Sequence, residues 1–232
     1  YYMAGACSMV PHTALEWTGK PYQAEGVSLA QTKTPDYLKL NPQGAVPLLV
    51  DGDLVLPQNV AILAYLDARF PEARLFGSDS LEGKARAWRW LAFMNADVHK
   101  AFSPLFHAPD YARDETFKNA MQQAARESIL RMLGQADAQL ANQPFLGDAI
   151  SVADVYTYVI LRWCRSLKLD LSALTHLGPY HERVSANPGV QAVVAQEGVK
   201  PGRAPRPGQP PTGAHGQISS VSRPGSASTN KI

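Results

Sequence analysis

At 232 residues, 45% hydrophobic and 18% charged, the chain is long enough for two modest domains and has the composition of a soluble globular protein. No stretch reaches the roughly 18 apolar residues of a membrane span, and no basic-then-apolar start reads as a signal peptide. The two cysteines, Cys7 and Cys164, lie far apart, which favours reduced, cytoplasmic chemistry over a disulfide framework. The formal charge of +2 is misleading, because from Val199 onward there are five basic residues (Lys200, Arg203, Arg206, Arg223, Lys231) and no acidic one, leaving −3 on residues 1–198. That tail is rich in Pro, Gly and Ser with few large apolar residues, so disorder is expected. Its abrupt composition reads as a shifted frame or a fusion remnant, and its sparse charges give no nucleic-acid surface.

In chain order, Tyr1-Tyr2-Met3 reads as the remainder of a first strand and Ala4-Gly5-Ala6 as a tight turn. Ser8 or Cys7 can cap a helix from about Met9 to Thr18, stopped by Gly19. Cys7 then sits at a helix N-terminus, where partial positive charge favours a thiolate; the alternative is a buried, inert thiol. Ser8, Met9 and Val10 follow Cys7, so no CxxC pair exists and thiol exchange would need an external thiol. Pro11 suits the first turn, and His12 beside it is structural or solvent-facing. Lys20 to Leu29 reads as a second strand of mixed period, and Thr34-Pro35 opens a short helix that ends at Asn41.

Asn41-Pro42-Gln43-Gly44 is turn chemistry, and Val46-Pro47 leads into a strand at Leu48, Leu49 and Val50. Proline cannot donate to a ladder, so Val46 is left extended with backbone groups available to a peptide-like ligand. Asp51-Gly52 signals a hairpin returning along Leu54-Val55-Leu56. Pro57-Gln58-Asn59 opens a helix from Val60 to Phe70, whose first-turn N–H groups and two amide side chains would receive a carboxylate. A linker at 74–80 closes this unit.

From Glu82 the strand signals vanish. Trp88, Leu91, Ala92, Asn95 and Val98 recur at helical spacing, and a second long helix spans Thr116 to about Leu140. Ser151-Val152-Ala153-Asp154 has the form of a capping box, followed from Val155 to Trp163 by a run apolar nearly all round, the expected central helix. Leu177 to Val184 and Val190 to Glu197 supply closing helices.

The run Asn41-Pro-Gln-Gly-Ala-Val-Pro-Leu48, the hairpin and helix after it, Gly5-Ala-Cys-Ser8 with Pro11-His12, the segment from His99 and Lys100 to Phe106, and Ser151–Asp154 resemble the glutathione S-transferases, and among them the bacterial beta class. The resemblance spans roughly residues 1–198. It implies a thioredoxin-like α/β domain (1–73) that binds glutathione, a linker (74–80), an all-α helical domain (81–198), and the tail (199–232). It implies a cis Val46–Pro47 bond, main-chain pairing of Val46 with the cysteinyl part of glutathione, a γ-glutamyl site at Gln58 and Asn59, and Lys33 close by. It places Cys7, Ser8 and His99 at the reacting thiol, with Met3, Phe106, Tyr111 and Trp163 around a small electrophile. It further implies a cytoplasmic homodimer in detoxification, with glutathione as co-substrate, no metal, no membrane and no nucleic acid. The chain departs from the beta pattern in having Gln58-Asn59 where Glu followed by Ser or Gly is common, Ala92 where the class has asparagine, and only Thr32 and Lys33 near the expected lysine. Three functions follow as alternatives: a transferase with thiol-exchange or peroxidase side activity, a specialised isomerase or dehalogenase, and a non-catalytic binding protein.

Overall fold

Residues Leu48 to Arg69 form the frame on which the amino-terminal half is hung. In the computed structural model, which describes residues 1–107 and 114–199, β1 (Leu48–Asp51) and β2 (Leu54–Pro57) pair antiparallel, Leu48 opposite Pro57 and Asp51 opposite Leu54. Gly52, at φ 59°, makes the turn between them in a left-handed conformation that favours glycine. The Val46–Pro47 peptide ahead of β1 is cis. The two strands expected earlier in the chain are reduced to single pairings. Tyr1 exchanges backbone bonds with Leu48 at 2.8 and 3.3 Å, and Tyr2 bridges Gly26 in parallel through Glu25 O at 2.9 Å and Val27 N at 2.8 Å. The segment 20–29 fails as a full strand because Pro21 lacks a donor and, of its side chains, Val27 alone is buried.

Three helices pack on this frame. Helix α1 (Met9–Thr18) ends at Gly19, as its left-handed φ of 64° requires. Helix α2 (Pro35–Leu40) is capped by Thr34, whose hydroxyl accepts from Tyr37 N at 3.4 Å. Helix α3 (Asn59–Arg69) follows β2 directly. The segment read as a linker packs against the helical half. A 3-10 turn at Pro71–Ala73 leads to Leu75 and Phe76, both buried. Leu75 O accepts from Val152 N at 2.9 Å, and the Phe76 ring stacks on Trp88 at 4.4 Å.

The second half is helical. Helix α4 (Leu81–Ala92) does not continue regularly through Val98. It widens into a π-helical stretch at Phe93–Val98, followed by the short helices α5 (His99–Ala101) and α6 (Ser103–Phe106). Helix α7 (Glu115–Leu140) starts at Asp114, which accepts from Thr116 N at 3.0 Å. Helix α8 (Val152–Ser166) is buried from Val152 through Cys164 and takes α1, α4 and α9 (Leu177–Ser185) against it. Helix α10 (Pro188–Gln196) packs back on α1. The anticipated capping box is present: Ser151 N donates to Asp154 Oδ2 at 2.9 Å and Ala153 N to Ser151 Oγ at 3.2 Å. One apolar cluster runs without interruption from Met9, Val10 and Ile62 into α4, α7 and α8. No helix among the described residues is long and apolar enough to cross a membrane.

Candidate functional site

The turn before α1 is built by both halves of the chain. Ala6 N donates to Met3 O at 2.9 Å, and Gly5 takes the left-handed φ of 70° that this turn needs. Gly5 N donates to Glu197 Oε2 at 2.7 Å, while Gly5 O accepts from Trp163 Nε1 at 3.0 Å. Both backbone groups of this glycine are therefore held from the helical half. His12, left open above between a structural and an exposed place, is structural: it is buried with Nδ1 2.9 Å from Glu197 Oε1 and Nε2 2.9 Å from Gln196 Oε1.

Cys7 follows that turn and is 9% exposed. Its Sγ donates to Val46 O at 3.9 Å and lies within reach of the Asn59 and Tyr156 side chains. The thiolate expected there is not what the environment favours. Burial pushes the Cys7 thiol up to about 11, against smaller opposing hydrogen bonds from Asn59, Tyr156 and the backbone. The helix end is outweighed by desolvation. Ser8 does not cap α1 either. Its backbone is already helical, and its hydroxyl accepts from Met3 N at 3.1 Å and donates to Met3 O at 3.2 Å, leaving it occupied in holding the turn.

Across from Cys7, the turn before β1 is stapled by Lys33, whose Nζ donates to Gly44 O at 2.7 Å. Ala45 O accepts from Tyr37 Oη at 2.8 Å and Asn41 Nδ2 at 2.7 Å. Val46 comes next, and its N–H pairs with no group among the described residues. Gln58 has a φ of 78°, a conformation rarely held by a residue with a side chain unless its surroundings impose it. That backbone turns its exposed side chain towards Gln43, with Nε2 donating to Gln43 Oε1 at 2.9 Å, and no side chain caps the first turn of α3. The first-turn N–H groups of α3 are left without a side-chain partner, the arrangement in which a helix end can receive an anion. Asn59 behaves differently from its neighbour. It is 4% exposed, packed towards Cys7, and its Oδ1 has no partner.

His99 is half-buried, and desolvation lowers it to about 4, so it is neutral at pH 7. Its Nδ1 lies 2.7 Å from Tyr156 Oη and its ring meets Trp163 edge-on at 4.7 Å. Trp163, expected as a surface of the electrophile pocket, is 5% exposed and spends its N–H on Gly5, so it acts as a back wall. Phe106 packs on that wall at 5.2 Å and stacks with Phe102 at 5.6 Å, and Met3 is half-buried on the turn. Tyr111 lies outside the described residues. Two side chains here were not anticipated as functional: Tyr156, whose hydroxyl also bonds Asn95 Oδ1 at 3.1 Å, and Asn95 itself. A tyrosine inside an otherwise apolar helix was the available signal, since a buried phenol needs a hydrogen-bond partner. A cavity of about 680 Å³ beside Tyr1, Tyr2 and Leu48 includes none of Cys7, Val46, Gln58, Asn59 or His99 in its walls. Among the described residues no group of three His, Cys, Asp or Glu could hold a metal ion.

Around Cys7 these residues bring a free main-chain amide at Val46, the uncapped start of α3 and, through Tyr156, the neutral imidazole of His99. Comparison with known proteins places both halves of the chain in known domain families. Residues 1–68 match the model of the glutathione S-transferase N-terminal domain and residues 93–188 that of the C-terminal domain. The chain is 38% identical to glutathione S-transferase GST-4.5 of Xanthomonas campestris over 86% of its own length and 98% of the relative's. With GstA of Escherichia coli O157:H7 the identity is 32%, over the same shares. Among solved structures, the glutathione S-transferase from Xylella fastidiosa aligns with a TM-score of 0.83 at 40% identity, over 86% of this chain and 98% of that one. A sphingomonad glutathione S-transferase complexed with glutathione aligns with a TM-score of 0.75 at 36% identity, and a beta class enzyme of Sphingomonas chungbukensis with 0.74 at 34%, each over 86% of this chain and 98% of the other.

Proposed function

The chain belongs to the glutathione S-transferase family, and we propose that it transfers the thiol of glutathione to small electrophiles, working as a beta-type homodimer in cytoplasmic detoxification. The observation that carries this reading is the unpartnered Val46 N–H on the same side of the hairpin as the uncapped start of α3, the turn that holds Gln43 beside Gln58. Residues 1–73 would hold glutathione and residues 81–198 the electrophile. Val46 pairs with the cysteinyl main chain. Gln58 and the first-turn N–H groups of α3 take the γ-glutamyl carboxylate, Lys33 keeps the Gly44 turn in place, and Ser8 keeps the Met3 turn in place. Asn59 serves from below, its orphaned Oδ1 next to Cys7. His99, neutral at pH 7, is the group able to accept the thiol proton. The electrophile sits over Met3 and Phe106, with Tyr111 as a further wall and Trp163 behind. Because Cys7 keeps its proton near neutrality, the nucleophile is the glutathione thiolate, and thiol exchange or peroxidase chemistry at Cys7 is a minor activity.

Calorimetric titration of glutathione into the unmodified, Cys7→Ala and Gln58→Ala proteins tests the reading. Binding should be measurable and should weaken about tenfold in Gln58→Ala, the loss of one hydrogen bond to a charged group. No binding at millimolar glutathione, together with no turnover of a chlorodinitrobenzene, would replace a transferase by a non-catalytic relative.

A further inference from the structure

Asn95, in the π-helical stretch, and His99, at the start of α5, are four residues apart and share the face turned towards α8. Tyr156 of α8 is fully buried there, its hydroxyl 2.7 Å from His99 Nδ1 and 3.1 Å from Asn95 Oδ1. A phenol has one proton to give and lone pairs to receive with. The carboxamide oxygen of Asn95 has no proton, so the phenolic proton must go to it. The contact with His99 then has to be made by a proton on Nδ1, donated to the phenolic oxygen. Cys7 and Asn59, also within reach of this hydroxyl, do not alter the count: the sulfur of a neutral thiol is the weaker acceptor and its own proton is spent on Val46 O, while Asn59 approaches the phenolic oxygen as a donor. His99 Nε2 makes no hydrogen bond among the described residues.

We propose that Tyr156 and Asn95 are positioning residues that hold His99 as its Nδ1–H tautomer and so leave the Nε2 lone pair as the proton acceptor of the site. Glutathione enters only as the donor, and in that respect the inference rests on the transferase reading. In the step it serves, the S–H bond breaks, its electron pair stays on sulfur as the thiolate, and the proton forms an N–H bond at Nε2, where the adjacent thiolate charge offsets the burial that otherwise keeps His99 neutral. When the thiolate has displaced a leaving group or added to a double bond, Nε2–H returns the proton to the leaving group, the adduct or water. A neutral histidine in water favours the other tautomer, with its proton on Nε2, which would present a donor to the thiol rather than an acceptor. The hydrogen-bond chain reverses that preference.

Long-range ¹H–¹⁵N correlation spectra of protein labelled at histidine distinguish the two tautomers, and His99→Gln identifies the signal. The unmodified protein at pH 7 should show His99 protonated at Nδ1. In Tyr156→Phe the signal should move towards the Nε2–H form, with kcat for a chlorodinitrobenzene about tenfold lower, within the usual range of acid–base catalysis, and KM for glutathione little changed. Asn95→Leu, a milder change on a half-buried residue, should move the signal the same way if Tyr156→Phe fails to fold, whereas Asn95→Asp, which keeps the acceptor oxygen, should not. An Nε2–H tautomer in the unmodified protein overturns the proposal, as does an unchanged signal in a folded Tyr156→Phe or Asn95→Leu. The tautomer is read without glutathione, so absent transferase activity would end the functional reading and leave this result standing.

Discussion

Cys7 shows how local position and environment compete at a single residue. A helix terminus is worth about 0.3 to 1 kcal/mol for a nearby charge, up to about 2 in favourable sites. Raising a thiol from 9 to about 11 corresponds to roughly 3 kcal/mol against the thiolate, so desolvation wins. Ultraviolet thiolate absorbance should therefore show no titration of Cys7 below pH 10, and alkylation at pH 7 should be about a hundredfold slower than for an ordinary exposed thiol; a midpoint below 9 would contradict this account. The two depressed histidines carry a stability signature of the opposite sense. His99 is lowered to about 4 by burial, and His181 to about 3 by burial and then by Arg165 and Arg162. Each folded value lies below the unfolded one near 6.5, so the stabilisation is complete above that value and is lost as pH falls through the folded pKa. Thermal melts should drop steadily from pH 6.5 to 4, and His99→Gln should flatten part of that slope. Cys7 was visible in the sequence as a candidate, but the sign of its shift was not, because burial depends on Val46, Asn59 and Tyr156 arriving from three other elements.

At the scale of elements, α8 was the most legible. Its capping box needs only residues three apart, and its all-round apolar pattern announces burial. What the pattern did not announce is how far the box reaches beyond its helix. Asp154 Oδ1 also accepts from Leu146 N at 2.9 Å and Tyr180 Oη at 2.8 Å, tying the preceding loop and α9 to the start of α8. Ser151→Ala should cost about 1 kcal/mol. Asp154→Ala, which leaves several buried donors unpaired, should cost about 3 kcal/mol or more. Urea denaturation midpoints compare the two, and equal losses would show that the reach to Leu146 and Tyr180 carries nothing. The π-helical stretch at Phe93–Val98 was illegible by contrast. Its residues repeat well enough to pass for regular helix, and such widening is set by the surroundings, frequently at functional sites. Here it leads into His99.

For the molecule as a whole, the long-range tie from Glu197 to Gly5 and His12 joins the end of the helical half to the turn that carries Cys7. Glu197 is 5% exposed, and burial raises its carboxyl against the hydrogen bonds from His12 and Gly5. Removing one partner of a buried pair typically costs about 3 to 5 kcal/mol. Glu197→Ala should be destabilised by about that much in urea and should weaken glutathione binding, because the Gly5 turn loses its hold. Wild-type stability in this variant would reduce the tie to a passive contact. Glu197 itself was legible only as the last residue of a closing helix, with nothing nearby in sequence to mark it.

The sequence by itself determined the features whose causes lie within a few residues: the Asp51-Gly52 hairpin, the Thr34 and Ser151 caps, the Gly19 stop, the Val46-Pro47 entry to a strand and the helical run of the second half. The tertiary structure alone decided which side chains share an environment. It paired Tyr156 with His99, turned Asn59 inward while Gln58 faced out, buried residues 75–78, and removed Cys7 from water. Hydrogen bonds at helical spacing depend on local geometry and can be read along the chain, whereas desolvation and long-range pairing depend on what the rest of the fold brings alongside.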